Sequence, residues 1–102
     1  MTKSPSDNER LAWRDKAEAQ LAKMEADIER LKAQAKEAGA DARIEKEKQV
    51  ESLEEKRDEY SRKLSETREA GNEAWEEMKD GAESAWNELS SAFDDARRAF
   101  SS

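Results

Sequence analysis

The chain has no cysteine and no histidine among its 102 residues. Without cysteine there is no disulfide, no thiol nucleophile and no thiolate metal site. Without histidine the commonest general base and the commonest zinc ligand are gone. Carboxylates alone could hold calcium or magnesium, but the spaced acids around a central glycine that build an EF-hand loop are missing. Paired carboxylates for glycosidic chemistry need a cleft that raises one pKa, and a thin helical bundle has no obvious one. The chain is therefore expected not to be an enzyme, with no catalytic residues, no metal, no cofactor and no small-molecule substrate.

Other features are scarce. Proline occurs once, at Pro5, and glycine three times. No stretch approaches the roughly 18 apolar residues of a membrane span, and "MTKSPSDNERLAW" lacks the apolar run of a secretory signal. The formal net charge is −7, a balance that repels nucleic acid. The expected location is the cytoplasm.

What the chain does have is charge at helical spacing. Charged residues make up 44% and hydrophobic ones 34%, too polar for a globule with a thick core. This composition suits long helices that bury one narrow stripe. It also approaches that of disordered chains, and the period of the apolar residues is what argues for order. Residues 1–7 read as a disordered tail in which Ser6 or Asp7 can cap the first helix. Residues 8–102 read as a single helical coiled-coil domain, with helical segments at about 8–38, 41–70 and 72–100.

Ala17, Leu21, Met24, Ile28, Leu31, Ala35, Ala38 and Ala42 alternate steps of four and three, an a/d heptad seam that Trp13 can extend. Ile44 falls off that stripe. A second seam runs through Val50, Leu53, Arg57, Tyr60, Leu64 and Thr67 in the same rhythm. Asp58 with Arg62, and Glu59 with Lys63, stand at i,i+4 on the other faces, most simply as a solvated surface.

The last segment keeps a different beat. "AWEEMKDG" is followed eleven residues later by "AWNELSSA", matching Ala74 with Ala85, Trp75 with Trp86 and Met78 with Leu89. Eleven residues advance only about 20° beyond three turns. Trp75, Ala82, Trp86, Leu89, Phe93 and Phe100 therefore share one stripe, with Met78 beside it. Two roles stay open for this stripe: the core of the bundle, or a face that binds a partner helix or a lipid surface.

Gly39 and Gly71 interrupt otherwise helical runs in the near-identical heptapeptides "KEAGADA" and "REAGNEA". Glycine just past a helix end accepts the left-handed conformation. Asn72 is a good N-cap and the hydrophobic rhythm changes there, so Gly71-Asn72 is expected to turn. At Gly39 a turn capped by Asp41 and a continuous helix both remain open. The expected fold is all-α: an antiparallel helical coiled coil, as a three-helix bundle if both glycines turn, or as a long helical hairpin that needs a partner if Gly71 alone does.

Residues 71–102 carry three basic residues against eight acidic ones, a balance of −5 on the most hydrophobic segment. That disfavours binding to anionic membranes. It suits packing against a near-neutral remainder whose lysines and arginines can pair with the acids.

The stretch "ADARIEKEKQVESLEEKRDEYSRKLSETREAGNEAWEEMKDGAESAWNELSSAFDDARRAF" resembles a family of small bacterial coiled-coil proteins of about a hundred residues. The resemblance covers most of the chain from about residue 17. "ADARIE" and the doubled "AWEEMKDG…AWNELSSAF" are its most specific parts. Cyanobacterial members are labelled stress-response proteins. The resemblance implies a helical, non-enzymatic bacterial protein and transfers no catalytic residue.

The expected function is that of a helical structural or interaction protein, stress-related by the resemblance, acting through self-association or a partner helix. Two alternatives stand beside it. One is an amphipathic binder of lipid surfaces using 72–100. The other is a hydrophilic desiccation protectant, which resembles late-embryogenesis proteins in its eleven-residue repeats.

Overall fold

The computed structural model describes residues 7–101, which form three helices. The helices are α1 (Asp7–Glu37), α2 (Ala40–Glu69) and α3 (Asn72–Ser101). Each places acids in its first turn and a base in its last, the arrangement that the helix dipole favours. Asp7, expected in the tail, is the first residue of α1. Ser6 and the rest of the tail lie outside the described residues.

Both glycines mark turns, so the fold is the antiparallel three-helix bundle rather than the long hairpin. Two-residue connections return each helix alongside the last, in a body of 59 × 20 × 17 Å. The turns do not use the left-handed conformation that motivated a glycine there. Gly39 is the N-cap of α2 with φ −63° and ψ 160°, and no described glycine has positive φ. The Gly39 carbonyl accepts from the Arg43 amide at 2.7 Å, and the Gly71 carbonyl from the Trp75 amide at 2.9 Å. Asp41 does not cap α2, which has no side-chain cap. Asn72 belongs to the first turn of α3, and its Oδ1 accepts from Arg10 at 3.2 Å.

The core follows the two seams. Met24, Ile28, Leu31 and Ala35 of α1 are buried, as are Val50, Leu53, Tyr60 and Leu64 of α2. Leu21 is half-buried and packs against them. The α1 seam stops at Ala35: Ala38 is half-buried and Ala42 exposed, because the turn diverts the chain before the alanine run can continue. Arg57 interrupts the α2 seam without entering the core and pairs with its neighbour Asp58. Ile44 stays 60% exposed, off the stripe.

Two buried hydroxyls find carbonyl acceptors. Thr67 donates to the Leu64 carbonyl at 2.6 Å. Tyr60 donates across to the Ala17 carbonyl of α1 at 3.4 Å. A buried polar group left without a partner costs about 1–3 kcal/mol, so both placements matter to the core.

On the surface Arg62 takes Glu59 and Glu66, not Asp58, as its partners. Glu59 also meets Lys63, at 3.6 Å. The guanidinium of Arg62 holds the Glu59 carboxyl below its ordinary range, and Glu59 in turn raises Arg62.

Candidate functional site

The α3 stripe divides into two lines. Ala82 and Leu89 are fully buried, with Trp75, Ala85 and Ala96 close behind. Trp86, Phe93, Phe100 and Met78 are only half-buried. Trp86 is thus not a centre of the core. The cause is width: Ala82, Ala85 and Ala96 let α3 approach closely, and the broad rings are left on the flank. The signal for Ala85 and Ala96 was present in the sequence, since Ala74, Ala85 and Ala96 continue the eleven-residue spacing.

Trp75 anchors the end of the bundle that holds the second turn. Its ring meets Trp13 edge-on, with centroids 5.9 Å apart and an interplanar angle of 81°. The Arg10 guanidinium lies 5.6 Å from the Trp75 centroid and the Lys79 ammonium 5.3 Å. Arg10 also donates to the Ala70 carbonyl at 2.7 Å and the Thr67 carbonyl at 3.4 Å. These are end carbonyls of α2, so one α1 side chain clamps the α2–α3 turn. Sequence periodicity gave no hint of this clamp, because it depends on three elements meeting.

Trp86 sits on Tyr60, ring centroids 5.3 Å apart. Burial pushes the Tyr60 phenol up to about 12, with the charge of Glu83 adding to the rise. Farther along, Lys46 of α2 lies 5.2 Å from the Phe100 centroid.

Between α1 and α3 the bundle is open. A cleft of about 650 Å³ is lined by Met24, Asp27 and Leu31 of α1 and by Trp86, Phe93 and Asp94 of α3. A recess of about 340 Å³ adjoins it, bounded by Trp13, Lys16, Tyr60 and Glu83. Gln20 and Trp86 line both, so the two form one lengthwise groove.

The floor of the groove is apolar and its lips are charged. On the α1 lip Asp27 takes Lys23 at 3.1 Å and Arg30 at 3.4 Å. The expected pairing of the α3 acids with bases elsewhere in the chain does not occur among the described residues, and Asp95 takes Arg98 of its own helix. Among the described residues Glu73, Glu76, Glu77, Asp80, Glu83, Glu88 and Asp94 form no ion pair. The cross-helix pairs Lys32–Glu54 and Arg68–Glu18 join α1 to α2 instead.

Two smaller recesses hold unmatched polar atoms. Gln49 Oε1 is buried without a hydrogen bond beside Ala92 and Ala96. Arg14 Nε is likewise buried, near Arg10 and Arg68, with Glu18 at 3.9 Å. Among the described residues no three metal-ligating side chains cluster, and no helix is long and apolar enough to cross a membrane.

These features define an all-α antiparallel three-helix bundle with one open, aromatic-floored groove. No family model matches the chain, and no curated protein or solved structure is similar to it.

Proposed function

We propose that this protein is a non-enzymatic helix-association module, in which the α1–α3 groove receives a further helix. The observation that carries this is the position of Trp86 and Phe93. Both rings stand half-buried in the groove, while Met24, Ile28, Leu31, Val50, Leu53, Tyr60 and Leu64 of the two seams are buried. Such aromatic flanks in a lengthwise cleft match helix-in-groove recognition. The absence of histidine and cysteine from the sequence supports a non-catalytic role.

The lipid-surface alternative is weaker, because residues 71–102, the segment that would lie on the lipid, carry a balance of −5 that repels anionic head groups. The protectant alternative requires a chain that stays unfolded in dilute buffer. A role under stress, in the cytoplasm of a bacterium, rests on the resemblance to small bacterial coiled-coil proteins.

Circular dichroism with tryptophan fluorescence tests the proposal. The expected outcome is a helical chain that melts cooperatively, with emission unaffected by anionic vesicles. An unfolded chain in dilute buffer, or a blue shift on adding vesicles, refutes it.

A further inference from the structure

Resting on the helix-association reading, we propose that the occupant of the groove is a second copy of this chain. The two copies lie parallel and are related by a two-fold axis along the bundle.

The charge on the two lips selects this geometry. On the α1 side, Lys16, Lys23 and Arg30 face the groove with one acid, Asp27. On the α3 side, Glu83 and Asp94 face it with one base, Arg97. One lip is basic in balance and the other acidic. Lys23 and Arg30 are 81% and 78% exposed, so both can reach outward. Glu83 and Asp94 have no ion pair among the described residues. They are open to a base from outside.

A two-fold axis can close two such grooves face to face in two ways. An axis across the helices sets α1 against its own mate and α3 against its own mate. Basic then meets basic and acidic meets acidic. An axis along the helices sets α1 against the partner's α3, and opposite charges meet twice by symmetry.

The heights also agree. α1 and α3 run parallel, and Arg10 reaches Asn72 across a separation of 62 positions. Trp13 touches Trp75 at the same offset, and Met24 with Trp86, and Leu31 with Phe93, share the cleft at it. A lengthwise two-fold axis preserves height. Lys23 then falls within two residues of the level of the second copy's Glu83, and Arg30 within two of its Asp94. Two residues of helix are about 3 Å, well within the reach of these side chains. The same operation lays the two Trp86–Phe93 flanks together. α1, α3 and their mates become a four-helix core.

The test is sedimentation velocity of the intact chain with paired charge reversals. Helicity is followed by circular dichroism. The wild-type chain is expected at twice its 11.6 kDa mass at high micromolar concentration. Lys23→Glu with Arg30→Glu, and separately Glu83→Lys with Asp94→Arg, should each weaken the dimer at least tenfold. The two pairs of changes move the net charge in opposite directions, so general repulsion cannot explain a loss in both. Mixing the two double variants should restore a dimer of one of each. The quadruple variant should dimerise with itself.

A folded wild-type chain that stays monomeric overturns the second-copy proposal while leaving a different helical occupant open. Double variants that keep full dimer mass, with Phe93→Glu dissociating them, overturn the parallel pairing but keep helix association in the groove. A chain without helix fails the functional reading itself.

Discussion

Tyr60 is the only tyrosine in the chain, which makes one buried hydroxyl directly readable. It is 1% exposed, sits beneath Trp86 and donates to the Ala17 carbonyl. Ionising it in place would leave a charge among apolar neighbours with Glu83 nearby, and its pKa rises from 10 to about 12. A raised folded pKa means that the neutral phenol favours the folded state. Its contribution is complete below pH 10, where folded and unfolded chains both hold the proton, and is lost as pH climbs through about 12. At about 1.4 kcal/mol per pKa unit, the loss across that window is about 3 kcal/mol.

The assay is an alkaline titration that follows phenolate absorbance and helical ellipticity on the same sample. The expected result is phenolate appearing well above pH 10, either near pH 12 or together with helix loss. Tyr60→Phe should flatten the fall in melting temperature between pH 10 and 12. Lysine deprotonation is common to both proteins, so their difference isolates the phenol. A phenol that titrates near pH 10 while the helices stay intact would refute the burial of Tyr60 and the packing of α2 that depends on it.

Two further substitutions probe the α3 stripe and its glycine by thermal melting. Trp75→Ala should cost about 3–5 kcal/mol, as expected for truncating a buried aromatic. Trp86→Ala, under conditions that keep the chain monomeric, should cost only about 1–2 kcal/mol, because its ring is already partly exposed. Equal losses would place Trp86 in the core and remove the groove's aromatic floor. Gly81 lies in mid-helix, and a Cβ built on it meets nothing within 4 Å. Gly81→Ala should therefore stabilise by about 1 kcal/mol. That is worth roughly 4–8 °C in a domain of this size. A lowered melting temperature would show that something approaches that site.

Much of the architecture was legible because it is one-dimensional. The three-four spacing of Met24, Ile28 and Leu31, and of Val50, Leu53, Tyr60 and Leu64, marks helix faces without reference to any partner. The turn at Gly71 was legible from the sequence, whereas at Gly39 a turn and a continuous helix were both left open. Gly39 sits extended at an N-cap, a conformation open to any residue. The site was less legible. Periodicity puts Trp86 and Leu89 on one stripe but cannot say which neighbour each faces, and the chain buries Leu89 while leaving Trp86 at the edge. The Arg10 clamp was invisible for the same reason, since its partners stand about sixty positions away.

The open side follows from how few apolar residues the chain has. α2 touches both neighbours, so its single buried line of Val50, Leu53, Tyr60 and Leu64 serves two seams. α3 approaches through Ala82, Ala85 and Ala96, residues small enough for close packing but unable to fill space on the far side. Trp86 and Phe93 line the gap between α1 and α3. Closing that third seam within one chain would take another line of apolar side chains on α1. There only Met24 and Leu31 are apolar, and Gln20, Lys23, Asp27, Arg30 and Gln34 beside them are polar. Water is a poor neighbour for two half-buried rings at roughly 25 cal/mol per Å² of apolar surface. Under the second-copy proposal the missing apolar line comes from outside the chain, supplied by Trp86 and Phe93 of the second copy.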